Sequence, residues 1–305
     1  MSARSAVVFP GQGTQEPGMG AMWRDRPEWA VVVGRAEAAL GEPLGRLLLD
    51  ADPEELLRTR NAQLAVLLTS LLAWEAISDR VVPLAFAGHS LGQVTALIAS
   101  GVMPFDDGVR FAAVRADRTQ AAADATPGSM VALLGATLGQ AEAAPAASPE
   151  CWIANDNAPG QVVLAGTPAG LEDGVAAAKA AGARTAKPLA VGGAFHTPLM
   201  QPAADALGDD LRAVPLAAPS APVVSNDDGE PYSDAEGWRI RSARHVAVPV
   251  RWREVQGGLV ALGADRLLEL GHGTMLAALA KRAIPGTPVV GIADPAAADD
   301  FTDDA

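Results

Sequence analysis

The sequence is poor in the residue types that build disulfides, metal centres and nucleic-acid surfaces. Cys151 is the single cysteine in 305 residues, which excludes an intramolecular disulfide and argues against a thiolate zinc site. Long apolar runs are also missing. Ala6-Val7-Val8-Phe9 near the N-terminus is too short for a signal peptide or a membrane span. The longest uncharged apolar stretch, Leu64 to Trp74, contains Thr69 and Ser70, ends at Glu75 and is expected to be a core helix. No membrane partner is expected, and a cytoplasmic location fits the lone cysteine. Basic charge is scarce: 23 lysines and arginines stand against 36 acidic residues, for a formal net charge of −13. That balance argues against a nucleic-acid partner. Histidine occurs only four times, as His89, His196, His245 and His272.

What is present is a core-forming α/β chain. With 49% hydrophobic and 19% charged residues, it can bury a sizeable interior. Valine- and leucine-rich runs alternate with alanine-rich helical stretches, which favours α/β over all-α. Ala6 to Phe9 reads as a first strand, Pro27 to Trp74 as mostly helical with a break near Gly41-Glu42-Pro43, and Phe105 to Asp124 as a helix. From Met130 to about Val191 the order is strand, helix, strand, strand, helix, strand. Asn155-Asp156-Asn157-Ala158-Pro159-Gly160 is expected to split the middle pair. That order predicts a ferredoxin-like small domain over residues 128–194, inserted between core segments 1–127 and 195–305. The final segment from Asp294 carries five aspartates and no basic residue, and is expected to be a solvated tail.

The chemistry is concentrated in Ala87-Gly88-His89-Ser90-Leu91-Gly92-Gln93. The apolar run Val81 to Ala87 suits a buried strand, and Val94 to Ser100 suits a helix. A G-x-S-x-G between a strand and a helix is a nucleophile elbow, which exposes the Ser90 hydroxyl above the sheet. The N–H of Leu91 and the positive end of the helix then face a developing oxyanion. Pro10-Gly11-Gln12-Gly13 could be taken for a phosphate loop, but it lacks the Walker spacing and the following Lys-Ser/Thr. A serine needs a base within hydrogen-bond reach. His89, one residue before Ser90, should point away and pack. His245 lies among arginines and is expected at the surface.

Five motifs in order resemble the malonyl-CoA:acyl carrier protein transacylases and the related acyltransferase domains of fatty-acid and polyketide synthases. They are Val8 to Gln15, the Ser90 elbow, Asn155 to Val163, Gly193 to Met200 and Glu269 to Leu276. The resemblance runs from about Ala6 to Arg282. It implies an α/β-hydrolase-like core with a parallel sheet carrying the ferredoxin-like insert. It also implies His196 as the base, the main chain of Gln12 as the second oxyanion donor, and Arg115 as the carboxylate-binding arginine. Arg118 lies on a similar helix face, so spacing alone does not choose between the two arginines. Phe195 matches an aromatic that accompanies malonyl use, since a phenyl ring fills the space an α-methyl group would need. Asn157 and Gln161 match a cleft-facing stretch of the smaller domain, and Gln63 a glutamine near the serine. A backbone carbonyl near Val248-Pro249-Val250-Arg251-Trp252, assigned to Arg251, would orient the histidine. No catalytic aspartate is assigned.

The sequence departs from the family pattern at Gln93, where glutamate is usual, at Arg251, where glutamine is frequent, and at His272, where proline is common. The expected reaction is a ping-pong transfer of malonyl from coenzyme A through Ser90 to the phosphopantetheine thiol of an acyl carrier protein, with no metal or bound cofactor. Alternatives are a hydrolase clearing acyl groups from carriers, a transacylase for another acyl group, and a non-catalytic carrier-binding module. An acidic carrier would need a local basic face. Arg239, Arg241, Arg244, Arg251 and Arg253 are the densest candidate, with Lys179, Arg184 and Lys187 as the competing patch.

Overall fold

The computed structural model describes residues 3–303. Two sheets organise it. The larger has the order β10-β9-β1-β2-β7-β8, built from β1 (Ser5–Phe9), β2 (Ala85–Gly88), β7 (Val223–Val224), β8 (Pro231–Tyr232), β9 (Arg266–Leu270) and β10 (Val289–Ile292). Five of these strands run parallel and β8 closes one edge antiparallel. β1 is buried at every position and lies between β2 and β9. Continuous apolar character is what a parallel strand covered on both faces requires. One face is covered by the core cluster that includes the helix Thr59–Ile77 and the helix Leu91–Ala99. The other packs on the helices Trp252–Ala261 and Met275–Ala283.

The second sheet is antiparallel, in the order β4-β5-β3-β6, from β3 (Ser129–Leu134), β4 (Cys151–Ala158), β5 (Gln161–Gly166) and β6 (Thr185–Pro188). Renumbered within the insert, the order is the 4-1-3-2 of a ferredoxin-like unit. Its strands alternate as a two-faced sheet should. Val131 and Leu133 point to the small domain's own helices, with Leu138, Leu171 and Val175. Met130, Ala132 and Leu134 point the other way, onto Ala194, Phe195 and Leu199.

Three expectations are corrected. Strand β2 takes in only the last three residues of the Val81–Ala87 run, Ala85 to Ala87, and Val82 is 88% exposed. Asn155 to Ala158 belong to β4, which is bulged there, so only Pro159-Gly160 makes the turn. The acidic C-terminal segment is not a free tail. Pro295–Asp300 is a helix capped by Asp294, Asp299 pairs with Arg26 and Asp303 with Arg266; Asp304 and Ala305 lie outside the described residues.

The arginine stretch is likewise engaged within the chain. Arg239 binds Glu236 and the carbonyls of Leu211 and Val214, and Arg241 lies over the Tyr232 ring. Arg244 pairs with Asp227, Arg251 with Glu254 and Arg253 with Asp156. Arg239, Arg241, Arg244 and Arg253 thereby join their helices to neighbouring segments, while Arg251 pairs within the first turn of its own helix.

Candidate active site

The loops that follow β1, β2 and β7 meet at the carboxyl ends of the parallel strands, where open α/β sheets bind ligands. β2 ends at Gly88, and the chain turns through His89 and Ser90 into the helix Leu91–Ala99. Three glycines make the turn possible. A Cβ on Gly88 would overlap the Gly92 carbonyl, one on Gly92 the Phe9 carbonyl, and one on Gly11 the His89 carbonyl. Backbone approaches this close exclude any side chain. Ser90 itself has φ 52° and ψ −107°. Among the described residues it and His196, at φ 63°, are the two non-glycine residues with positive φ. Such strain persists only where surrounding contacts over-determine it.

The two strained residues touch. Ser90 Oγ lies 2.7 Å from His196 Nε2. On the far side of the ring, His196 Nδ1 lies 3.1 Å from the carbonyls of both His245 and Val248. Carbonyls only accept, so the ring proton sits on Nδ1 and the Nε2 lone pair faces the serine hydroxyl. Burial, followed by the Arg115 cation and His89, lowers the His196 pKa to about 3. The imidazole is therefore neutral at neutral pH, as a base must be before it takes a proton.

Arg115 reaches the same point from the helix Phe105–Ala125. It is buried, its NH1 donates to Gln63 Oε1 at 2.7 Å and its NH2 to Ser90 Oγ at 3.3 Å. Desolvation lowers its pKa to about 10, so it remains a cation at neutral pH. Its Nε is buried without a hydrogen-bond partner among the described residues. Arg118, three residues on, is 46% exposed and paired with Asp210. Of the two arginines, Arg115 is the one that borders the cleft and the Ser90 hydroxyl, a difference that helical spacing does not show. Gln12, Leu91, Phe195, Met130, Val191 and Asn155 also line the cleft, which has a volume of about 90 Å³. N–H groups at the first turn of a helix have no intrahelical acceptor, which suits Leu91 to an oxyanion.

Several assignments move. Arg251 does not orient the base: its N–H donates to the Asn226 carbonyl, and the carbonyls that face His196 are those of His245 and Val248. Asn157 does not face the cleft. Its Oδ1 is 2.8 Å from His89 Nε2, and Asn155 is the residue that lines the cleft. The bulges in β4 break the alternation that sequence spacing assumes. Gln161 lies away from the cleft and accepts from Arg282. His245 is buried, with its ring centroid 5.3 Å from that of His196. His89 packs on Trp252 as expected, yet it also borders the cleft. Asn226 was not anticipated at all; its Oδ1 accepts the Ser90 N–H at 2.9 Å.

Three buried neutral histidines make the fold sensitive to acid. Burial lowers the pKa of His89, His196 and His245 below the ordinary imidazole value of about 6.5. A lowered histidine pKa means that the unfolded chain takes up protons first as pH falls. Stability is therefore complete above 6.5 and is lost as pH drops toward about 3 for His196. Asp227 and Glu269, raised by burial, act in the opposite direction. The melting temperature is expected to fall between about pH 7 and about pH 5. A flat profile in a thermal melt series would show that these rings are not buried neutral.

The acyl transferase domain family matches residues 6–286. The malonyl CoA-acyl carrier protein transacylase of Salmonella typhimurium is 37% identical over 298 residues, covering 96% of each chain. The acyl-carrier-protein S-malonyltransferase of Burkholderia pseudomallei superposes with a TM-score of 0.92 at 36% identity, covering 97% of this chain and 98% of that one. A malonyl-transacylase solved in complex with its type II PKS acyl carrier protein has a TM-score of 0.92 at 34% identity, again over 97% and 98%.

Proposed function

The chain belongs to the acyl transferase domain family, and on that premise we propose that it moves a malonyl group from coenzyme A, through an ester on Ser90, to the phosphopantetheine thiol of an acyl carrier protein in fatty-acid or polyketide synthesis. The observation that carries the reading is the buried Arg115 cation, 3.3 Å from the Ser90 hydroxyl. A guanidinium kept dry at that distance from a nucleophile selects an acyl group whose far end is a carboxylate. General thioester hydrolysis has no use for it.

In the first half-reaction Ser90 Oγ attacks the thioester carbonyl and its proton passes to His196 Nε2. The oxyanion is held by the N–H groups of Leu91 and Gln12. The intermediate then collapses, the C–S bond breaks, and the coenzyme A sulfur leaves with the proton from His196. In the second, the carrier's thiol gives its proton to His196 and attacks the ester carbonyl. The C–O bond to Ser90 breaks, and the protonated imidazole returns the proton to Oγ. Phe195 borders the α-carbon and disfavours a methyl branch there. A difference of one methyl is worth roughly 1–3 kcal/mol, so this is a bias and not an absolute filter. Every step uses protein groups and the two substrates, with no metal or bound cofactor. A cytoplasmic setting is part of the same proposal. It is supported by the lone, buried Cys151 and by the absence, among the described residues, of a helix long and apolar enough to cross a membrane.

The test is to incubate the protein with malonyl-CoA and a phosphopantetheinylated acyl carrier protein, and to follow the carrier by intact mass. Malonyl-carrier should accumulate in step with free coenzyme A. Release of malonate without loaded carrier would make the protein a hydrolase, and an acetyl-loaded carrier in preference to a malonyl one would overturn the role of Arg115.

A further inference from the structure

We propose that Asn226 is a positioning residue for the transfer: its side-chain amide holds the nucleophile's elbow and, through His245, the carbonyl that orients the base. The inference rests on the roles given above to Ser90 and His196. Asn226 is fully buried, two residues beyond the end of β7. Its Oδ1 accepts the Ser90 N–H at 2.9 Å, and its Nδ2 donates to the Gly88 carbonyl at 2.8 Å. A backbone N–H can only donate and a carbonyl can only accept, so the amide can sit only this way round.

These two bonds are the pair that a neighbouring strand's backbone would make. The β2–β7 ladder pairs Phe86 with Val223, and the Asn226 side chain prolongs it along the turn. On the opposite side the His89 N–H donates to the Phe9 carbonyl at 3.0 Å. The strained φ of Ser90 is thus held from both flanks.

The same oxygen has a second role. Asn226 Oδ1 lies 3.1 Å from His245 Nε2, and since Oδ1 only accepts, His245 must carry its proton on Nε2. His245 in turn supplies one of the two carbonyls that hold His196 Nδ1. The main chain of Asn226 is tied down too. Its N–H donates to Gln93 Oε1 at 3.0 Å, and its carbonyl accepts the Arg251 N–H at 2.8 Å. Gln93, the departure from the usual glutamate, therefore supplies an acceptor to this residue. One side chain sets the elbow and the base in register, and among the described residues it makes no hydrogen bond to the Arg115–Gln63 pair that would grip substrate.

The test uses Asn226→Ala and Asn226→Asp, with acylation by malonyl-CoA followed in single turnovers by intact mass. Alanine should lower the acylation rate constant roughly ten- to a hundred-fold, the scale of a small misplacement in a reacting geometry, with little change in the KM for malonyl-CoA. A protonated aspartic acid can mimic the amide by donating to the Gly88 carbonyl. An ionised one puts a carboxylate oxygen against that carbonyl. The aspartate variant should therefore approach parental rates at low pH and lose rate as its carboxyl ionises. A merely structural role would alter the yield of folded protein, but would leave the rate constant and its pH profile unchanged. If the alanine variant does not fold, His245→Phe carries the test, because it removes the Nε2–H and leaves the bonds from Asn226 to the elbow. A reduced rate constant with unchanged KM is expected. Parental rate constants in the folded variants, or a parental pH profile for the aspartate, would overturn the proposal. Failure of the parent protein to acquire malonyl would instead overturn the function on which it rests.

Discussion

Ser90→Ala should abolish covalent malonylation while leaving the fold intact. Alanine meets the same backbone demand as serine at φ 52°, and the buried elbow keeps its bonds to Asn226 and Phe9. What disappears is the oxygen that forms the ester. Removing the nucleophile of a serine–histidine–aspartate triad costs on the order of a million-fold in turnover, so no acyl-enzyme should be detectable by intact mass after exposure to malonyl-CoA. A malonyl adduct on the alanine protein would place the nucleophile elsewhere.

Arg115→Ala should reverse the preference among acyl groups. Arg115 is 4% exposed, so a malonyl carboxylate entering the variant would lie in a dry cleft without its counter-charge. Leaving one member of a buried charge pair unpaired costs roughly 2–5 kcal/mol, or about thirty- to several-thousand-fold in kcat/KM for malonyl-CoA. Acetyl-CoA has no carboxylate to lose and should gain in relative terms. The substitution also removes a charge that lowers the His196 pKa, so that pKa should rise toward the ordinary imidazole value. The ratio of kcat/KM for the two thioesters is the measurement. An unchanged ratio would end the assignment of Arg115 as the selector.

The parts of this design that a reader of the sequence can find are those in which the backbone itself makes a chemical demand. Gly88 and Gly92 are legible because two main chains pass where no Cβ fits. The strand and helix order of the insert is legible because β3 alternates between two apolar faces. Distances between remote segments are less visible. Arg115 and Arg118 lie one helical turn apart and look equivalent until Asp210 is seen to hold the second. His245 sits after a run of arginines and reads as surface, but the chain turns there through His245–Ala247 and buries all three residues. The apolar Val246-Ala247 that follows was the available signal. Asn226 stands in Ser-Asn-Asp-Asp-Gly, which has the composition of a loop. Nothing local reports that a residue 136 positions earlier donates to it. The Asn155–Asn157 error has a similar origin: a polar Asn-x-Asn segment resembles a turn, and the bulge that sends the two amides to different partners is set by pairing with β5.

The coincidence of left-handed backbone with reactive side chain at Ser90 and His196 also bears on how this protein would respond to selection for heat resistance. A non-glycine residue in such a conformation gives up about 1–3 kcal/mol, and glycine would recover part of it. The two substitutions most able to relax the main chain are thus the two that remove the nucleophile and the base. Robustness and turnover are set against each other at the same pair of α-carbons, and a screen that scored survival alone would drift toward a sturdier, inert protein.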